Sequence, residues 1–249
     1  MRYSAIHGWP RHAPLSSSHY ISVATACTFA VGAIMLWLRR LFLRPQRMIA
    51  KQPPGGREPR LVALWKPHST LSSFITDQDG ARGRATLAHL NLPPGLINAG
   101  RLDRDSEGLL LLTDDGALCH RLLQGGVSKC YHVLVVGSAN QATIDSMAAG
   151  GLLIRGRETR ACQVRRLDWH TTNQALPQVS VHMKKYNSEN STWLEVILDQ
   201  GMNRQIRRMT LHAGHKTVRL VRIGIGNLRL EALSLSPGKW CCTRQQDVF

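Results

Sequence analysis

Between Arg101 and Glu107 the chain sets two guanidinium groups and three carboxylates: Arg101, Asp103, Arg104, Asp105 and Glu107. Four leucines, Leu109 to Leu112, follow almost at once. Gly100 and Gly108 bracket the charged run, which reads as a compact turn entering a strand. Four successive leucines predict a strand buried on both faces. A loop clamped by a buried strand is a rigid mount for a carboxylate. Neighbouring arginines favour the ionised form of such a group. In a site with little water it can then act as a base or as a nucleophile. From spacing alone, a salt-bridged loop that only ties strand to strand fits equally well.

A second group of residues, "NRQIRRMTLHAGH" (203–215), reads as a helix. Ile206, Met209, Thr210 and Ala213 recur at i, i+3, i+4 and i+7 and form its buried stripe. Arg204 and Arg208 then fall on the outer face, free for phosphates or simply solvated. Arg207 sits beside the stripe, and a partly buried arginine needs an anionic partner. The ionised carboxylate of the first loop is the economical candidate. A third group, "SKCYHVLVVG" (128–137), reads as a strand that points Lys129, Tyr131 and Val133 to one face. An aromatic ring beside charged groups can stack on a base or move a proton, although such a tyrosine is more often part of a core.

Other chemistries lack their residues. The sequence contains no GxxxxGK[ST], HExxH or GxSxG motif, and "GIGNL" (224–228) is not a dinucleotide loop. The six cysteines, at positions 27, 119, 130, 162, 241 and 242, form no CxxC pair, so neither nucleotide hydrolysis nor a metal is indicated. Scattered thiols without a disulfide framework suggest a reducing compartment. The sequon Asn190-Ser191-Thr192 would matter only in a secreted protein.

The elements that must position these residues are short. Apolar runs at 60–66, 96–100, 108–113, 131–137, 192–198 and 217–225 predict strands. The segments "ATLAHL" (85–90), "GALCHRLL" (116–123), "QATIDSMAAG" (141–150) and 203–214 predict helices. They mix without a βαβ rhythm, which favours an α+β fold with a mixed or largely antiparallel sheet. The chain has 249 residues and a formal charge of +16, a balance that most often meets a polyanion such as a nucleic acid. Residues 1–57 hold 8 Lys and Arg and no acid, whereas 58–249 hold the other 24 basic residues and all 16 acids. The break falls in "KQPPGGREPR" (51–60), which reads as a linker. Tyr20–Leu38 is an uncharged stretch of 19 residues, marginal as a membrane span. The arginines after it would keep the rest of the chain cytoplasmic. A targeting peptide, or a true start at Met48, are the other readings of this extension.

Taken in order, the three groups resemble the RsuA-type family of ribosomal RNA pseudouridine synthases. "GRLDRDSEGLLLLTDDGAL" is similar to that family's signature, "KCYHVLV" to its second motif and "GMNRQIRRMTLHAGHKTVRLVRIGIG" to its third. "ALWKPHSTLSSFITDQDGARGRATL" and "LSLSPGKW" also fit, so the likeness covers about residues 60–242 and is nearest the large-subunit type E subgroup. The resemblance implies the pseudouridine synthase fold, a long mixed sheet with flanking helices around a central cleft. It implies isomerisation of a uridine in ribosomal RNA, without cofactor or metal, by a cytoplasmic, monomeric enzyme. Asp103 would be the nucleophile, Tyr131 would take the C5 proton, and Arg207 would pair with Asp103. Arg101 would fill the space left by the flipped nucleotide, Leu220 would pack against the pocket, and Arg104, Lys129, Asn203, Arg204 and Arg208 would contact RNA. Asp105, Glu107, Asp114 and Asp115 would brace the loop or start the next helix. Gln200-Gly201 stands where the family commonly has Glu-Gly, and Lys216 where proline is common. The S4 module of several relatives is absent, leaving target choice to the basic surface of residues 58–249. A non-catalytic RNA-binding or ribosome-assembly factor on the same scaffold is the alternative.

Overall fold

A computed structural model describes residues 61–75, 83–124, 126–177 and 181–249. The apolar segment 20–38 and the boundary at 57/58 lie outside these residues. Among the described residues, no helix is long and apolar enough to cross a membrane.

The apolar runs become the strands of one mixed sheet. In chain order they are β1 (Leu61–Lys66), β2 (Ile97–Asn98), β3 (Glu107–Thr113), β4 (Lys129–Val136), β7 (Gln163–Arg166), β8 (Ser191–Leu198), β9 (Thr217–Ile225), β10 (Leu228–Arg229) and β11 (Trp240–Cys242). Two short strands between β4 and β7, β5 (Leu153–Ile154) and β6 (Arg157–Glu158), pair only with each other. The main sheet runs β11-β1-β3-β9-β4-β8-β7, with β2 beside β3 and β10 beside β9. The contact between β3 and β9 is parallel and the other strand pairs are antiparallel.

Alternation along the central strands divides the core in two. Val62, Leu64, Leu110 and Leu112 face one side, where they meet Val133, Leu194 and Val196. Helices α2 (Gln141–Ala149) and α4 (Gln205–His212) cover that side with Ile144, Met147, Ile206 and Met209. Leu61, Ala63, Trp65, Leu109 and Leu111 face the other, under Leu118 and Leu122 of α1 (Gly116–Gln124). Farther along this second side, Leu134 and Trp193 pack with Trp169 of α3 (Trp169–Ala175). Burying a leucine fully is worth about 1.5–3 kcal/mol, so the leucine run of β3, buried along its length, anchors the sheet between both layers. Asp115 caps α1, accepting from the backbone N–H groups of Ala117 and Leu118 at 2.9 and 3.1 Å.

Several expected elements come out smaller. The predicted strand at 96–100 is the two-residue β2, because the chain turns at Ala99 into the charged loop. The predicted helix at 85–90 is a 3₁₀ turn over Leu87–Leu90. Helix α4 starts at Gln205, since Arg204 before it has φ 53°, in the left-handed region.

Candidate active site

The loop from Ala99 to Ser106 hangs between β2 and β3. Ser72 holds its near side: the Ser72 Oγ donates to the Leu102 carbonyl at 2.8 Å and accepts from the Leu102 N–H at 3.1 Å. The Ser106 N–H closes the tip by donating to the Asp103 carbonyl at 3.0 Å. On its far side the loop feeds Glu107 into β3, where Arg219 of β9 meets the buried Glu107 carboxylate at 2.6 Å. Gly108 then passes so close to β9 that a Cβ there would lie 2.3 Å from the Arg222 carbonyl oxygen. Only glycine fits this approach, at φ 104°.

Two arginines hold the loop's acids. Arg204 meets Asp105 with both terminal nitrogens, each at 3.0 Å, and reaches Asp103 at 3.5 Å. The Arg207 Nη2 donates to the Asp105 carbonyl at 2.7 Å and to the Ser106 Oγ at 3.3 Å, and lies 3.5 Å from the Asp105 carboxylate. Direct pairing of Arg207 with Asp103, which the resemblance implies, is thus not the arrangement found. The guanidinium on Asp103 belongs to Arg204, and Arg207 grips the residue two positions on. Arg204 stands before the helix in a left-handed conformation, so the 3.6-residue period does not place it on the outer face, and its side chain folds over the loop. Arg204 nevertheless stays exposed, whereas Arg208 is half-buried rather than fully outward. Burial works against the charge on Asp105, but the hydrogen bond from Arg204 and the charges of both arginines outweigh it and hold its carboxyl below the usual range.

The loop forms one wall of a cleft of about 460 Å³, within the usual size of small-ligand sites. Arg101, Asp103, Lys129, Tyr131, Asn203, Arg204 and Leu220 all line it. Arg104, Arg207 and Arg208 do not; Arg104 is exposed, and Arg207 lies behind the loop. Tyr131 reaches the cleft because β3, β9 and β4 align Gly108, Arg222 and Tyr131 side by side. The ring is buried and belongs to both core and cleft.

The sequence reading missed three polar residues. Arg222 is buried in the cleft wall and donates from Nε to the Leu109 carbonyl at 2.6 Å. Gln200, also in the wall, donates to the Glu158 carbonyl at 3.0 Å. Lys66 is fully buried at the end of β1, where its Nζ donates to the carbonyls of Pro67 and Thr70 at 2.8 and 2.6 Å. Burial pushes its ammonium group down to about 8, against the opposing charge of Glu107. A charged residue inside an otherwise apolar strand, as in "TVRLVRI", was the signal available for Arg219 and Arg222.

Comparison with known proteins agrees with this geometry. Residues 60–212 match RNA pseudouridylate synthase. A ribosomal large subunit pseudouridine synthase E of Xanthomonas campestris is 45% identical over 183 residues, 72% of this chain and 93% of the relative. The protein of that name in Vibrio parahaemolyticus is 38% identical, over 77% of each chain. A crystal structure of a pseudouridylate synthase superposes with a TM-score of 0.60 at 25% identity, covering 77% of this chain and 73% of the other. An α+β sheet of this topology, a charged loop folded over one cleft and these matches together assign the chain to the RNA pseudouridylate synthases, enzymes that isomerise uridine.

Proposed function

We propose that the chain converts a uridine of large-subunit ribosomal RNA to pseudouridine, with Asp103 as nucleophile, Tyr131 as the acceptor of the C5 proton and no cofactor. The observation that carries this reading is that Asp103 and Tyr131, 28 positions apart in sequence, face the same cleft from a braced loop and a central strand. The names of the relatives support the ribosomal target.

A uridine stacked in RNA must first leave its stack, which costs a few kcal/mol. Arg101, Arg104, Lys129, Asn203 and Arg208 offset that cost at the cleft and around it by holding phosphates and base edges. Arg204 spends its fork on Asp105 and reaches Asp103 only at 3.5 Å, so the Asp103 carboxylate is not tied up in a close bidentate pair. The Asp103 carboxylate then attacks, at the ribose C1′ or at the uracil ring. The bond from C1′ to N1 breaks and the base turns within the cleft. On the C1′ route the bond from C1′ to C5 forms as the bond from C1′ to the carboxylate breaks, and on the ring route the carboxylate leaves the ring last. Tyr131 takes the proton from C5 as its own hydroxyl proton passes to water, and water returns one to N1. No electrons enter or leave. Arg207 positions the loop through Asp105, and Leu220 packs beneath the base. The catalytic unit is residues 58–249.

Asp103→Asn keeps the shape of the side chain and removes its charge. Purified Asp103→Asn is expected to form no pseudouridine in large-subunit ribosomal RNA mapped with carbodiimide, while still binding that RNA. Activity equal to wild type would remove Asp103 from its role. Pseudouridine formed only in small-subunit RNA would overturn the target.

A further inference from the structure

The hairpin formed by β5 and β6 stands apart from the main sheet and serves no step above. Its turn is Arg155-Gly156, with φ of 50° and 78°, the left-handed pair that closes a tight two-residue hairpin. Arg155 and Arg157 are exposed. Nearby arginines are already matched: Arg160 lies 3.1 Å from Asp199, and Arg165 lies 2.6 Å from Glu195. Among the described residues, Arg155 and Arg157 take part in no ion pair.

The hairpin is firmly mounted. The Gly151 N–H donates to the Thr159 carbonyl at 2.8 Å, and the Thr159 N–H to the Leu152 carbonyl at 2.9 Å. The Thr159 Oγ1 accepts from the Leu152 N–H at 2.9 Å. Gly150 packs so tightly on the strand leaving the hairpin that a Cβ there would lie 2.6 Å from the Arg160 carbonyl carbon. Gln200 joins this base to the cleft. Its Oε1 accepts from the Arg160 N–H at 3.0 Å, and its Nε2 donates to the Glu158 carbonyl at 3.0 Å. An ionised glutamate could accept the first bond but not donate the second, so the glutamine at this position makes a two-way tie between cleft wall and hairpin.

We propose that this arginine hairpin is an arm that grips RNA phosphates beside the cleft. A guanidinium presents a planar fork that matches two phosphate oxygens. Two unmatched forks on a rigid turn, tethered through Glu158 and Arg160 to a residue that lines the cleft, suit the backbone of the strand that enters it. The inference rests on the reading of the chain as an enzyme of ribosomal RNA.

The test uses the full chain and a fragment of large-subunit ribosomal RNA. Arg155→Asn together with Arg157→Gln should raise Kd and KM on the order of 10-fold near 0.15 M salt. The slope of log Kobs against log salt should become shallower by about 1.4 to 1.8, the value for two lost phosphate contacts. If the pair lowers the melting temperature, Arg157→Gln alone should reduce the slope by about 0.7 to 0.9. Wild-type Kd and slope in a folded variant would overturn the arm. A wild-type protein that binds the fragment with the full slope but forms no pseudouridine would instead overturn the proposed function and leave the arm standing.

Discussion

Asp105 faces two guanidinium groups at once. Arg204 takes its carboxylate in a fork, and Arg207 takes its carbonyl at 2.7 Å. Removing that single negative charge leaves Arg207, whose side chain is only 10% exposed, without a carboxylate partner among the described residues. It also frees Arg204 to close on Asp103. Both changes move or quench the nucleophile, and a displacement near 1 Å in a reacting group can cost about 10²-fold in rate. Asp105→Asn should therefore lower single-turnover pseudouridine formation by about 10²-fold while RNA binding persists. The same variant has a pH signature. The folded-state pKa of Asp105 lies below its unfolded value, so its contribution to stability is present above the ordinary carboxylate range and is lost as pH falls through the folded value. The stability gap between wild type and Asp105→Asn, read from urea midpoints, should be full at pH 7 and shrink in acid. The sequence did disclose that an arginine of 203–215, read as Arg207, would answer a carboxylate of the loop. It did not disclose which would meet which, because that depends on one left-handed residue, Arg204, whose conformation no spacing reveals.

The strand β3 carries the loop, and its place in the sheet depends on β9. Their parallel contact is short, with Glu107 opposite Val221 and Gly108 opposite Arg222. Two features bind it: the close approach at Gly108, and the ion pair of Glu107 with Arg219, whose side chains are 1% and 5% exposed. Breaking a buried pair by removing one partner costs about 3–5 kcal/mol, whereas replacing both with apolar groups is often neutral. Arg219→Met alone should therefore lower the urea midpoint sharply, and Glu107→Leu with Arg219→Met should recover much of the loss. Equal losses in single and double variants would show that the pair itself adds net stability. Elements of this kind were readable where burial wrote them: β9 matches the apolar run at 217–225 end to end. The β5–β6 hairpin and β7 were not: β5 is only Leu153-Ile154, too short to form an apolar run, β6 and β7 are mostly polar and exposed, and the distant β8 holds β7. Helix α3 did carry a local sign. Asp168 caps it by accepting from the Thr171 N–H at 2.8 Å, a pattern visible in "DWHT".

The molecule as a whole carries +16, and half of that lies in residues 58–249, which hold 24 basic and 16 acidic residues. Ion pairs at the loop and along β8 consume part of this charge locally, so the excess lies elsewhere and acts on a polyanion at long range. Each phosphate neutralised releases condensed counterions, and binding then weakens with salt in proportion to the number of contacts. For four phosphate contacts, KM for ribosomal RNA should rise on the order of 10²-fold between 50 and 200 mM salt. The chemistry inside the cleft is a different matter, because close, partly buried charges such as Asp105 and Arg207 are screened far less. Single-turnover rates with saturating RNA should accordingly stay nearly constant over the same range. A rate that fell together with affinity would mean that the Arg204 and Arg207 clamp opens to solvent in the working enzyme, and a KM indifferent to salt would mean that RNA is held by stacking rather than by its phosphates.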